Sequence, residues 1–223
     1  MSQATRRTAT RWIITPRFTY NFRHSRTFLV LTHRNTMAKT LDVILVIDVE
    51  STCWEGYPPP GQMTEIIEVG LCLVDTASLE RLEKRSLMVR PQKSTVSAFC
   101  TELTGITQEM AEAGMTLSDV VHILMDEYRA PERLFASWGD YDRNQFRRNC
   151  DSYGIPYPFG PTHLNVKNLF SIAWGLRQEL GIDSAMERLG LTMVGRHHRG
   201  VDDAWNIAEL LCLQLKRIRR TGI

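Results

Sequence analysis

The sequence has no CxxC pair, and its five cysteines are scattered along the 223 residues. An odd number of isolated cysteines argues against a disulfide framework or a zinc site, and it indicates a reducing compartment. No apolar run approaches the roughly 20 residues that a membrane-spanning helix needs, so we expect no membrane partner. These absences favour a cytoplasmic protein with one domain and an appendage, and they leave the oligomeric state open.

Acidic residues are missing from the first part of the chain. Eight Lys or Arg and no acid precede Asp42, whereas 19 basic and 25 acidic residues follow from there, a net charge of −6. We expect residues 1–40 to be a basic, disordered extension and residues 41–223 to form the folded domain. The extension has the bias of an organellar transit segment or of a nucleic-acid-binding arm. We favour a third explanation, an upstream start codon, with Met37 opening the domain.

One stretch, residues 41–54, combines a buried strand with two acids. Its short apolar run is rich in Val and Ile, which is typical of a central strand covered on both faces. Asp48 and Glu50 follow, and because strand side chains alternate, both carboxylates point to the same side. Buried carboxylates repel each other and lose hydration at high cost, and a divalent cation such as Mg²⁺ or Mn²⁺ removes both problems. A strand that runs into an acidic turn would give the same pattern.

The remaining pattern predicts an α/β fold with a five-stranded mixed sheet flanked by helices. Three closely spaced strands favour an antiparallel meander, and later strands alternate with helices. Acids at two strand ends lie where ligands usually bind in such sheets. The later strands are predicted at residues 66–75, 79–90, 134–138 and 164–166. Residues 99–107 are predicted to form a short helix and a turn with Gly105. Further helices are predicted at residues 142–153, 168–180, 183–189 and 201–217, with one more capped by Thr116 or Ser118.

Two further motifs supply acids and a histidine. Asp142 opens a predicted helix directly after a strand, where simple capping is the alternative explanation. His198 stands five residues before Asp203, and a loop histidine beside a metal-bound acid suits general-base work near neutral pH. Neighbouring loop residues point in roughly opposite directions, so we expect only one of His197 and His198 to face the acids. Four carboxylates and one imidazole match two-metal phosphodiester hydrolysis, in which the ions sit about 3.5–4 Å apart.

Six blocks of residues occur in one order along the chain. They are VIDVESTC at 46–53, EIIE at 65–68, FC with LTGIT at 99–107, SWGDYD at 137–142, LNVK at 164–167, and HRGVDD with NIA at 198–208. Together they resemble the DEDDh group of 3′–5′ exonucleases, of ribonuclease H-like fold. The nearest branch contains the three-prime histone-mRNA exonuclease and the bacterial KapD-like proteins. The resemblance covers about residues 41–215, and no catalytic position is missing.

This resemblance implies roles for individual residues. The implied metal ligands are Asp48, Glu50, Asp142 and Asp203. They would hold two Mg²⁺ ions, for which Mn²⁺ could substitute, and the spacing selects His198 as the base that deprotonates water. The 3′-terminal nucleotide would lie against Thr52, Cys53, Trp54, Leu103 and Thr104. Asp140 and Asp202 are interpreted as neighbours of ligands, because the family spacing selects the acids beside them.

The implied activity is the release of nucleotides from single-stranded nucleic acid 3′ ends, with RNA expected rather than DNA. A DNA exonuclease of the same group is an alternative, since contacts to the 2′-hydroxyl separate the two substrates and leave no mark on the sequence. A nucleic-acid-binding regulator without turnover is a second alternative. Such a regulator would be expected to lack one of the acids or the histidine, and this chain keeps them all.

Overall fold

A computed structural model of the protein describes residues 39–221. The predicted extension at residues 1–40 lies, except for its last two residues, outside the described residues, and the domain boundary stays a prediction. The strands are β1 (Thr40–Ser51), β2 (Ile66–Asp75), β3 (Arg81–Met88), β4 (Arg133–Ser137) and β5 (His163–Asn165). The helices are α1 (Ala98–Thr104), α2 (Gln108–Glu112), α3 (Leu117–Asp126), α4 (Tyr141–Tyr153), α5 (Val166–Ala173), α6 (Ile182–Arg188) and α7 (Gly200–Thr221). None of these described helices combines the length and apolar character that crossing a membrane requires.

The strands form one mixed sheet in the order β3-β2-β1-β4-β5. The first three strands pair antiparallel, and β4 and β5 continue the sheet with parallel pairing. The predicted five-stranded sheet and its antiparallel meander are therefore confirmed. As predicted, β1 is central, and Leu45, Val46 and Ile47 are fully buried.

Alternate residues of β1 pack against different helices. Leu45 and Ile47 belong to an apolar cluster with α3 and α4, whereas Ile44 and Val46 belong to a cluster with α5, α6 and α7. The strand period of two places every second residue on the same face. Asp48 and Glu50 therefore share the face of Ile44 and Val46, on the side that α7 covers.

Two of the predicted helix boundaries are wrong. The helix expected at residues 168–180 ends at Ala173, and Gly175 then adopts a left-handed φ of 62°, which turns the chain out of the helix. The last helix extends to Thr221 rather than to residue 217. A short helix that was not predicted, α2, begins after Thr107, whose side chain accepts a hydrogen bond from the backbone N–H of Met110.

Helix α7 begins in close backbone contact with the sheet. A Cβ atom on Gly70 of β2 would lie 1.9 Å from the carbonyl carbon of Gly200, and a Cβ on Gly200 would lie 2.9 Å from the carbonyl oxygen of Asp48. Two residues without side chains thus let the first turn of α7 rest on β1 and β2. This contact sets the distance between the acids of β1 and those of α7.

The variant Gly70→Ala is expected to lower the free energy of unfolding by about 1–3 kcal/mol, the usual cost of an extra methyl group in a packed region. It should also reduce the catalytic rate, because α7 must move away from Asp48. Thermal unfolding and initial rates measure the two effects. Gly56→Ala is the control, since a Cβ there meets nothing within 4 Å. Equal stability of the two variants would contradict the account.

Candidate active site

The four predicted metal ligands line one cavity of about 300 Å³. Asp48 and Glu50 come from the end of β1, Asp142 from the first turn of α4 and Asp203 from the first turn of α7. Single carboxylate oxygens of Asp48, Glu50 and Asp203 lie within 4.8 Å of one another. Three separate elements thus bring their acids to one point at the end of the central strand.

Asp142 is turned toward the sheet. Its Oδ1 atom accepts a hydrogen bond of 2.9 Å from the backbone N–H of Val49, and its residue is only 3% exposed. Strand β4 ends at Ser137, so this carboxylate takes the place of a strand partner for β1. The residue at the cap position of α4 is Asp140, and Asp140 forms an ion pair with Arg143.

Burial and mutual repulsion shift the acids toward their neutral forms. Burial first, and the charge of Asp203 next, raise the pKa of Glu50 to about 8. Burial and the charge of Asp142 raise the pKa of Asp48 well above its ordinary value. Burial also raises the pKa of Asp142 to about 6, although the N–H of Val49 opposes this shift. Such a group of carboxylates is stabilised in its ionised form by a cation, and an all-carboxylate donor set fits a hard divalent ion.

Both histidines of the predicted loop line the cavity. Their rings stack with centroids 4.0 Å apart and planes 24° from parallel. The expectation that only one ring faces the acids is wrong, because His198 adopts a left-handed φ of 63° that returns its ring to the side of His197. Burial, and next the neighbouring charge of His197, lower the pKa of His198.

The two histidines contact Asp203 differently. His197 places its Nδ1 atom 3.1 Å from Oδ1 of Asp203, whereas His198 donates its backbone N–H to Oδ2 over 2.8 Å. Within residues 39–221, the ring nitrogens of His198 form no hydrogen bond. The ring of His197 is thus engaged with a proposed ligand, and the ring of His198 is available to water.

Glu68 of β2 anchors the loop that carries His197 and His198, and no role for it was predicted from the sequence. It is fully buried, and its carboxylate accepts hydrogen bonds from the backbone N–H of Gly200, the guanidinium of Arg199 and the hydroxyl of Ser86. A carboxylate between two buried apolar residues of a strand costs free energy unless it has partners. The EIIE pattern could therefore have indicated this anchor.

Asp202, the neighbour of Asp203, also anchors the loop. Its carboxylate accepts the backbone N–H of Arg196 over 2.9 Å and pairs with the ammonium group of Lys84. The Arg196 guanidinium in turn donates to the backbone carbonyl of Glu102, at the end of α1, over 2.8 Å. The histidine loop is thus fastened to β3 and to α1.

Two of the predicted nucleotide contacts have their hydroxyl groups occupied inside the protein. Thr52 Oγ1 accepts the N–H of Glu65 over 2.9 Å. Thr104 Oγ1 donates to the carbonyl of Cys100 and accepts the N–H of Ile106, and both threonines are buried. Their role as nucleotide contacts stays a prediction.

The other predicted nucleotide contacts are more accessible. Cys53 and Trp54 are partly exposed. Leu103 is 37% exposed and lines a second cavity of about 560 Å³ together with Phe99 and Glu102. These side chains offer apolar surface on which a base could rest.

Tyr141 and Trp138 also line the cavity that holds the acids, and neither was predicted from the sequence as a site residue. Tyr141 opens α4 and is 50% exposed. Trp138 packs on Phe170 with ring centroids 5.8 Å apart. Their position directly after β4, beside Asp142, is the feature that could have indicated them.

Residues 45–211 match the family described as Exonuclease (RNase_T). Among curated proteins, the human 3′-5′ exoribonuclease 1 is 31% identical over 198 residues, which cover 84% of this chain and 56% of that protein. The probable 3′-5′ exonuclease KapD of Bacillus subtilis is 30% identical over 176 residues, 78% of this chain and 85% of that protein. The chain spans little more than half the length of the human relative.

Solved structures confirm the predicted fold class. The nuclease domain of 3′hExo, a DEDDh family member bound to rAMP, superposes with a TM-score of 0.72 at 29% identity, covering 83% of this chain and 95% of that one. A 3′-exonuclease with 3′-end specific recognition of the histone mRNA stem-loop gives a TM-score of 0.71 at 29% identity, covering 82% of this chain and 83% of that one.

Proposed function

The chain belongs to the Exonuclease (RNase_T) family, and from this membership we propose that it hydrolyses phosphodiester bonds at the 3′ ends of single-stranded RNA. The observation that carries the proposal is the cavity in which Asp48, Glu50, Asp142 and Asp203 meet two histidines. The names of relatives at 29–31% identity support the direction of attack and the RNA substrate. Release of nucleotides from DNA 3′ ends is the alternative.

The acids would hold two Mg²⁺ ions, with Mn²⁺ as a substitute, because hard oxygen donors dominate the site. When bound, such ions activate water and stabilise charge on the leaving oxygen. His198, whose ring nitrogens form no hydrogen bond to residues 39–221, would accept a proton from the attacking water. Asp203 orients the loop through the His198 N–H, and Glu68 fixes the turn that follows. The side chains of Trp138 and Ile182 border the same space.

Degradation of matched RNA and DNA oligonucleotides, each labelled at its 5′ end, tests the proposal. With Mg²⁺ we expect a ladder of RNA products that shorten from the 3′ end, a slower reaction on DNA, and no reaction in excess chelator. A 3′-phosphate on the RNA should slow its degradation, and a modified 5′ end should not. Unchanged turnover in chelator would contradict the metal-dependent mechanism, and faster loss of DNA would favour the alternative substrate.

A further inference from the structure

A stripe of side chains leads away from the active-site cavity along α4. Tyr141 lines the cavity, and Arg148 and Ser152 stand 7 and 11 residues further on. With 3.6 residues per turn, these three positions fall within about 20° of one line and span about 16 Å. Lys93 joins the far end, since its ammonium group donates to the hydroxyl of Ser152 over 2.6 Å and to its backbone carbonyl over 3.1 Å.

The cations of this stripe rest on aromatic rings rather than on acids. The guanidinium of Arg148 lies 6.0 Å from the ring centre of Tyr141, and the ammonium group of Lys93 lies 4.4 Å from that of Tyr153. Arg148 also donates to the neutral amide oxygen of Gln145. In the part of the chain that the structure describes, neither cation has a carboxylate within ion-pair distance. Their charge is therefore unneutralised, in a body whose net charge is negative.

On the side of α6, the border of the cavity carries a negative charge that disfavours an anionic strand. Asp183, in the first turn of that helix, is exposed and lines the cavity. A polyanion leaving the cavity meets this carboxylate on one side and an aromatic ring followed by cations on the other. Cations beside aromatic rings suit single strands, because phosphates pair with the charges while bases stack on the rings.

We propose that Tyr141, Arg148 and Lys93 form a track for the retained part of the single-stranded substrate, on the 5′ side of the bond that is cut. The proposal rests on the proposed function, since it assumes that a 3′ end lies in the cavity. Tyr141 supports the first retained nucleotide, and Arg148 and Lys93 bind phosphates further upstream. The track gives long strands an affinity that short ones lack.

The test compares the double variant Lys93→Gln/Arg148→Gln with Arg147→Gln. Arg147 is a matched control, because it is exposed, stacks on Tyr157 and belongs to the same helix, but lies about 100° away from Arg148. Binding of fluorescent single-stranded RNA is measured by anisotropy at several salt concentrations in the Asp48→Asn background, which leaves the RNA uncut. The same changes in the active protein are assayed on a dinucleotide, which has one retained nucleotide and no phosphate that could reach Arg148 or Lys93.

For the double variant we expect the slope of log affinity against log salt to become shallower by about 1.4, since each lost phosphate contact removes about 0.7 for single strands. The slope for Arg147→Gln should stay at the parent value, and cleavage of the dinucleotide should be unchanged in both. An equal loss in the Arg147 variant would overturn the track in favour of general attraction. A salt slope for the double variant equal to that of the parent would also overturn it. Failure of the parent to cut any oligonucleotide would instead refute the proposed function. The anisotropy data are separate from that outcome, because they are collected with protein that does not cut RNA.

Discussion

Replacement of Asp48 by asparagine is expected to abolish nucleotide release and to raise the melting temperature of the metal-free protein. Asp48 shares its space with Glu50 and Asp203. Burial first, and next the charges of Asp142, Glu50 and Asp203, raise the pKa of Asp48. A folded-state pKa above the unfolded value stabilises the protein only at low pH, and this contribution is lost as the pH rises through the folded-state pKa. For Glu50, whose pKa rises from 4.5 to about 8 on folding, this stabilisation is lost between about pH 4.5 and about pH 8. An asparagine removes one of the repelling charges.

Melting curves at neutral pH with chelator and with excess Mg²⁺ measure the effect. Each kcal/mol gained should raise the melting temperature by about 2–4 °C for a protein of this size. With Mg²⁺ the order should reverse, because an ion that binds only the native state stabilises the parent more than the variant. The exposed acid Asp151 on α4 provides the control variant Asp151→Asn, for which both shifts should be negligible. A variant that melts below the parent in chelator would show that the four acids do not repel one another.

The variant His198→Ala is expected to lower the rate about 10²–10⁴-fold, the usual contribution of general-base catalysis. Its ring is free of hydrogen bonds to residues 39–221 and faces the acids, so its loss should affect the proton transfer and leave RNA binding intact. His197→Ala should reduce the rate less, because its Nδ1 contacts Asp203 and acts on the carboxylate rather than on water.

The pH dependence separates the two histidines. The parent rate should rise with pH as His198 loses its proton. The midpoint of this rise should lie below the ordinary pKa of 6.5, because burial and the charge of His197 lower the pKa of His198. This rise should disappear in His198→Ala and persist in His197→Ala. A larger loss of rate in His197→Ala than in His198→Ala would instead assign the base to His197. The rate loss in His198→Ala would then result from removal of the ring that stacks on His197.

The sequence predicted the features that depend on short-range periodicity. Alternation along β1 was sufficient to place Asp48 and Glu50 on one face, and the apolar runs were sufficient to identify the strands. The convergence of Asp142 and Asp203 depends on contacts distant in sequence, so only the order of motifs indicated it. The stacked histidines could not be predicted, because they depend on the sign of a single φ angle at His198. The early end of α5 depends likewise on the left-handed φ of Gly175.

The contact between the start of α7 and the sheet has a consequence for biosynthesis. The carboxylate of Glu68 receives the N–H of a residue 132 positions later in the chain, and Gly70 touches the same residue. At a translation rate of about 5–20 residues per second, a nascent chain carries Asp48 and Glu50 for about 8–30 s before Asp203 is synthesised. During that interval it has neither the histidine loop nor the helix that closes this face of the sheet. The cavity in which the four acids meet is therefore completed only when α7 docks on the sheet, so a nascent chain that has not yet reached α7 carries Asp48 and Glu50 without their partner Asp203.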